Sequence, residues 1–448
     1  MGPSRTGIID RADPVDRTIW ALAIPSLGAL AIEPLYATAD TIIVGRLGTT
    51  ELAGLAIAAQ ILIVLSALAN FLAYATTQRV AAHRGGGDEA SAATAGRQAL
   101  GLAVVLGIVA TVVLVVFGEA MARALGARDA VLDVAVEYLR IRALGMPAVL
   151  WALAALGILR GVRDMVTPLR IIAVAALANV LIEVVMVFGL GWGVAGAALS
   201  TVVVQWVAVI AYAIVTRPHL AAARRRIDPV EIRALMNAGG WLVVRVAALI
   251  AALTLGTAAA ARLGEAPLAA HQILSTVFLV AALSLDALAI PAQTLIGEAT
   301  GSADEAAARH IARRILRAAG RAAVAIALIV IATAWLVPMA FSSDAEVRSQ
   351  ATGALVVLAV LLLPGAYAFA LDGILIGASR YRALGAAMAI SLVVFAVALV
   401  LLWPVRFGLA TIWVALAIWM AARAVITLGI WQRGGLGLSA PGRAAVRG

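Results

Sequence analysis

Residues 21–48 read ALAIPSLGALAIEPLYATADTIIVGRLG. The run is apolar for longer than the roughly 20 residues a helix needs to cross a bilayer. It does not alternate as a barrel strand would. It is therefore a membrane-crossing helix, yet it holds Pro25, Glu33, Pro34 and Asp40 where only hydrocarbon is expected. The rest of the chain follows the same pattern. Of its 448 residues, 64% are hydrophobic and 13% charged, whereas a soluble domain is about half apolar and a quarter charged. No globule could bury that much apolar surface under a polar skin, so a soluble fold is excluded. Disorder and a collagen-like repeat do not fit so apolar a composition. Without cysteine, neither a disulfide framework nor a thiolate metal site is available.

The same length rule gives twelve spans, near 18–44, 52–78, 98–118, 131–159, 168–190, 194–216, 234–261, 268–296, 315–341, 349–378, 383–403 and 408–431. The expected product is an all-α membrane protein. The net charge of +10 comes from arginine alone, since the chain has no lysine. That surplus suits anionic lipid headgroups rather than nucleic acid. With both termini in the cytoplasm, about 24 of the 34 arginines fall in the termini and even-numbered loops, as the positive-inside rule requires. The most basic connection is Arg217 to Arg233, followed by the tract Arg309 to Arg321. The polar start, residues 1–17, leads straight into a long span and predicts no cleaved signal. A multi-pass inner (cell) membrane protein is expected.

Self-comparison reveals an internal repeat. Arg46-Leu47-Gly48 recurs as Arg262-Leu263-Gly264, an offset of 216. At that offset Asp88, Glu89, Ala90 and Arg97 recur as Asp304, Glu305, Ala306 and Arg313. Gly157-Ile158-Leu159 with Gly161 recurs as Gly373-Ile374-Leu375 with Gly377. The expected organisation is a cytoplasmic segment 1–17, a six-helix lobe 18–216, a basic linker 217–233, a second six-helix lobe 234–431 and a tail 432–448. Six spans per half is even, so the two pseudo-symmetric bundles are related by an axis along the membrane normal and flank a central cavity. This is the usual basis of alternating access.

A charge at membrane depth costs a few kcal/mol or more and needs a partner or a task. Glu33 and Asp40 lie two turns apart and share a face of span 1, beside prolines that remove backbone donors and predispose the span to kink. Asn179 and Glu183 share a face of span 5, and Thr201 in span 6 adds an oxygen. At the repeat offset Asp40 meets Gly256, Glu33 meets Leu249, Asn179 meets Phe395 and Glu183 meets Leu399. The cluster thus exists in one half only, which favours function over a duplicated structural network. Arg245 in span 7 has two acids that could neutralise it, Asp286 and Asp372. A buried pair fixing helix register and a functional role both remain open for these residues. Gln60, Asn70, Gln205 and Gln293 are candidates for hydrogen bonds between helices. Tyr36, Trp151, Trp241 and Met186 could touch a lipophilic ligand. No HExxH, paired metal spacing or Walker loop occurs, so no metal, cofactor or direct ATP drive is expected.

Asp40-Thr41-Ile42-Ile43-Val44-Gly45-Arg46-Leu47-Gly48, preceded by Glu33-Pro34, resembles the first-span signature of the multidrug and toxic compound extrusion (MATE) family, in particular its DNA-damage-inducible subfamily. Leu371-Asp372-Gly373-Ile374-Leu375-Ile376-Gly377-Ala378, Leu285-Asp286-Ala287-Leu288-Ala289 and Gly191-Trp192-Gly193-Val194-Ala195-Gly196 resemble its spans 10 and 8 and its turn between spans 5 and 6. The resemblance implies twelve helices around a V-shaped cavity and export of organic cations or other amphipathic compounds in exchange for H⁺ or Na⁺. It places Asp40, Asn179, Glu183 and Thr201 in the cation-coupling network, and Asp372 where some members carry a span 10 acid. From the residues themselves, Glu33, Pro25, Pro34, Tyr36, Asp286, Asp372 and Arg245 are expected to serve substrate contact or conformational change. The expected partners are small organic cations and the lipid bilayer, with no nucleic acid, and the expected state is a monomer. A lipid-linked saccharide flippase is the alternative. Such a protein should line its cavity with several arginines.

Overall fold

The computed structural model describes residues 13–224, 226–403 and 408–434. Most of the expected N-terminal segment (1–12), Arg225 in the linker and the tail from 435 lie outside the described residues. Everything described is helix or short turn, with no strand among the described residues. The helices are α1 (Pro14–Gly45), α2 (Thr49–Ala69), α3 (Phe71–Gly85), α4 (Glu89–Ala124), α5 (Asp129–Ala143), α6 (Met146–Gly161), α7 (Val166–Val184) and α8 (Gly193–Thr216) in the first half. The second half holds α9 (Pro229–Ala261), α10 (Glu265–Gly301), α11 (Glu305–Ala332), α12 (Leu336–Phe341), α13 (Ala345–Gly377), α14 (Tyr381–Leu402) and α15 (Leu409–Gly434). The pair α2 and α3, broken at Asn70, forms one span, and α5 with α6 forms another bent by 51°. Counted so, there are twelve spans, six per lobe, as the sequence predicts.

Several helices begin earlier than their apolar stretches because polar residues cap them. Asp228 accepts from the backbone N–H groups of Val230 and Glu231, and Pro229 sits where a helix needs no donor, so α9 starts five residues ahead of the expected 234. Asp304 likewise accepts from Ala307 N–H, and α11 takes in the whole basic tract Arg309 to Arg321, of which the part before residue 315 was expected outside the span. Asp88 caps α4 through Ser91 N–H at 2.8 Å. The repeated Asp-Glu-Ala motif is thus the start signal of two equivalent helices. The basic linker is anchored rather than free: Arg97 and Gln98 of α4 donate to the carbonyls of Arg224 and Arg226. Through both prolines α1 continues as a single helix.

The repeated glycines mark close crossings. A Cβ on Gly161 would lie 2.7 Å from Val80 Cβ in α3, and one on Gly373 would lie 2.8 Å from Ala289 Cα in α10. These positions let α6 nest on α3 and α13 on α10 in equivalent fashion. The lobes meet on the side where the described chain begins and ends, through the last turns of α3 and α10. A Cβ on Gly85 would lie 2.6 Å from the carbonyl carbon of Glu298, and one on Gly301 would lie 2.6 Å from the carbonyl carbon of Ala82. Gly85 and Gly301 are equivalent under the repeat. Around them Gln78 donates to Gly377 O at 3.4 Å and Thr294 donates to Arg160 O at 3.1 Å, a second pair related by the repeat within one residue. Tyr381 donates to Gln78 Oε1 at 3.0 Å, and Arg163 pairs with Glu298 across the lobes. The central cavity is sealed on this side.

Candidate functional site

Tyr36 and Asp40 lie one turn apart on α1 and point the same way. On the facing helices, α7 contributes Asn179 and Glu183 and α8 contributes Thr201. Asp40 is 8% exposed, Asn179 2% and Glu183 0%. Asn179 Nδ2 donates to Glu183 Oε2 at 3.3 Å. The Thr201 hydroxyl donates to Ala197 O at 3.1 Å, which leaves the Tyr36 hydroxyl to donate to Thr201 at 2.9 Å. The carboxyl groups of Asp40 and Glu183 lie within electrostatic reach of each other. Asp40 Oδ1, Glu183 Oε1 and Asn179 Oδ1 are buried without a hydrogen-bond partner. Among the described residues neither acid is in an ion pair. Directly after Glu183 the helix widens into a π-turn, Val185–Gly189, a local feature frequent at functional sites. The chain then reverses through Gly191 (φ 70°) and Gly193 (φ 52°), left-handed conformations that glycine adopts without steric penalty.

In front of this cluster lies a cavity of about 540 Å³, walled by helices of the first lobe and by α10. Tyr36, Asn179 and Thr201 face it, as do Glu33 and Asp286, while Asp40 and Glu183 stand behind its wall. Under the repeat Asp286 corresponds to Asn70, which also lines the cavity. Two arginines, Arg142 and Arg160, face the same space. Arg142 lies within electrostatic reach of Asp40 and Glu183. Its Nε and Nη1 are buried with no partner. Asn70 and Gln205, candidates for bonds between helices, face the cavity instead. Trp151, Trp241 and Met186 do not line it. Trp241 packs under the Arg382 guanidinium.

In the second lobe the intramembrane ion pair resolves in favour of one acid. Arg245 donates to Asp372 Oδ2 through Nε at 2.9 Å and Nη2 at 2.6 Å. Arg423 of α15 donates to the same oxygen at 3.0 Å. All three side chains are buried, and Arg423 also lies over the rings of Trp419 and Phe369. The triad joins α9, α13 and α15 away from the cavity. Asp286 takes no part in it. Among the described residues no group of three or more His, Asp or Glu side chains could hold a metal.

A sequence model of the MatE family matches residues 25–185 and 242–402. The two segments begin 217 residues apart, within one residue of the offset read from the motifs. The chain is similar to Protein DETOXIFICATION 44, chloroplastic, of Arabidopsis thaliana, with 30% identity over 93% of this chain and 82% of that protein. It is also similar to DNA damage-inducible protein F of Escherichia coli (strain K12), with 27% identity over 93% and 92% of the two chains. Among solved structures, one of MATE in the bent conformation superposes with a TM-score of 0.89 at 20% identity, covering 95% of this chain and 96% of that one. One in the straight conformation gives 0.87 over 94% and 96%. At that identity these two speak for the fold. The family match spans both halves, and so the chain belongs to the MatE family of multidrug and toxic compound extrusion transporters.

Proposed function

We propose that this transporter exports cationic amphiphiles in exchange for protons, with Asp40 and Glu183 as the coupling pair. The observation that carries this reading is a pair of buried carboxyl groups on facing helices, each with an oxygen that has no partner and neither in an ion pair. Removing a carboxylate from water favours its neutral form. Gain or loss of one proton therefore changes the charge buried between α1 and α7. Asn179 and Tyr36 connect that change to the cavity, since both line it while bonded to, or one turn from, the acids. A cation entering the cavity favours the ionised pair and expels the proton, whereas protonation weakens the hold on the cation. Ion and substrate thus compete through one conformation, as antiport requires.

In this proposal Glu33 and Asp286 meet the substrate's positive group, and Pro25 and Pro34 let α1 change shape. Asp372 with Arg245 and Arg423 fixes helix register in the second lobe. The arginine distribution supports an inner-membrane topology with both termini in the cytoplasm. The sealed side is then cytoplasmic, and the cavity faces outward. The chain acts as a monomer of two lobes, 18–216 and 234–431, joined by the linker 217–233. The unpartnered oxygens of Asp40, Asn179 and Glu183 favour a second reading, Na⁺ coupling. Arg142 weighs against it, because a sodium ion there would meet a fixed positive charge. Uptake of a cationic dye into proteoliposomes under an imposed pH gradient, then under a sodium gradient alone, tests the choice. The proposal expects uptake in the first case and none in the second. Uptake driven by sodium alone would reverse the assignment.

A further inference from the structure

This transporter treats its buried arginines in two ways. Arg245 and Arg423 share the Asp372 carboxylate. Arg160 is 7% exposed and, among the described residues, its guanidinium has neither an ion pair nor a hydrogen bond. It lies on α6 in the cavity wall, within electrostatic reach of Asp286, Tyr74 and Tyr212. Its repeat-related position is Ile376 and that of Arg142 is Leu358, so both cavity arginines belong to one half only, like the coupling acids. A structural arginine could have been given a carboxylate, as the second lobe shows. None of the Arg160 guanidinium nitrogens is among the fully buried atoms that lack a partner, so the group meets the cavity rather than the packed interior. Its planar fork suits a two-oxygen anion.

We infer that Arg160 forms an anion subsite in the wall of the cavity, where it pairs with a carboxylate group of the transported molecule. This rests on the proposed export function and narrows it: the preferred substrates are amphiphiles that carry a carboxylate as well as a cationic group. Glu33 and Asp286 meet the cationic end, and Arg160 meets the acidic end. Tyr74 and Tyr212 line the same cavity as Arg160.

The test uses a matched pair of probes, tetramethylrhodamine with its free carboxylate and its methyl ester, titrated by fluorescence anisotropy against the purified protein in detergent. A charge-assisted hydrogen bond implies that the acid binds about tenfold more tightly than the ester, or better. Arg160→Gln should weaken acid binding to the level of the ester and leave the ester unchanged. Arg160→Lys should keep part of the preference. Equal affinities in the wild type, or tighter binding of the ester, would overturn the subsite and mean that Asp286 neutralises Arg160 from within. Persistence of the preference in Arg160→Gln would overturn it as well. Should Arg160→Gln fail to fold, the wild-type comparison alone decides. Ester uptake driven by a pH gradient reports on the export reading separately, because it succeeds whether or not the carboxylate subsite exists.

Discussion

Gly301→Ala should open the seal between the lobes. In the sealed state the added methyl carbon would lie 2.6 Å from the carbonyl carbon of Ala82 and 2.9 Å from its Cα. Real Cβ atoms do not approach backbone this closely, and backbone cannot rotate aside as a side chain can. Overpacking of this kind costs about 1–3 kcal/mol. Applied to one of two states, that shifts their ratio about 5- to 150-fold. Elsewhere in a helix alanine would be better than glycine by about 1 kcal/mol, so any loss of sealing comes from the contact itself. The chain has no cysteine, so spin labels can be placed without background at Arg128→Cys and Ser343→Cys. Both are exposed turns at the ends of spans opposite the seal, one in each lobe. Electron-spin distance measurements should show the long, open population giving way to a shorter one in Gly301→Ala. Gly85→Ala, the repeat-related change, should act in the same direction. Gly353→Ala adds a methyl with nothing within 4 Å and should change nothing. A folded Gly301→Ala protein with the wild-type distance distribution would refute the argument.

Three further outcomes are expected. Asp372→Asn leaves Arg245 and Arg423 buried without a counter-charge and should cost about 3–5 kcal/mol, read as a large fall in thermal stability in detergent; an unchanged melting point would contradict the register role. Glu183→Gln should abolish dye uptake driven by a pH gradient while leaving dye binding within a few-fold, and normal uptake would remove Glu183 from the coupling pair. The Ser91 hydroxyl and backbone N–H hold the Asp88 carboxyl below the usual carboxylate range. Its capping contribution is therefore complete above about pH 4 and is lost as the pH falls through the lowered folded value. Asp88→Ala should cost about 1 kcal/mol at neutral pH and progressively less in acid, and a stability gap of constant size across that range would count against it.

The spans were legible because hydropathy reports burial in lipid directly, and the repeat because equivalent positions do equivalent work. Asp88 and Asp304 both start a helix, and Gly161 and Gly377 both sit at a close helix crossing. Hydropathy is blind to polar first turns, so α9 and α11 begin earlier than expected. The π-turn after Glu183 depends on how α7 packs, and only the glycines at 189, 191 and 193 hint at it. The pairing of Asn179 with Glu183 followed from spacing, and their grouping with Asp40 followed from the family resemblance. That Asp40 lies behind the cavity wall did not, because a seven-residue spacing fixes a helical face but not the depth of its neighbours. Arg142 and Arg160 lie on either side of the bend between α5 and α6, and their spacing along the chain gives no sign that both face the cavity. Gln78 gave no signal, because its role depends on a crossing between distant helices.

The central claim is that the Asp40–Glu183 pair gives up a proton when a cation occupies the cavity. Proton release can be measured in a weakly buffered solution of the purified protein as a cationic dye is added. The wild type should release about one proton per dye bound, and Asp40→Asn should bind dye and release none. Equal release from Asp40→Asn, or no release from the wild type despite binding, would contradict the account.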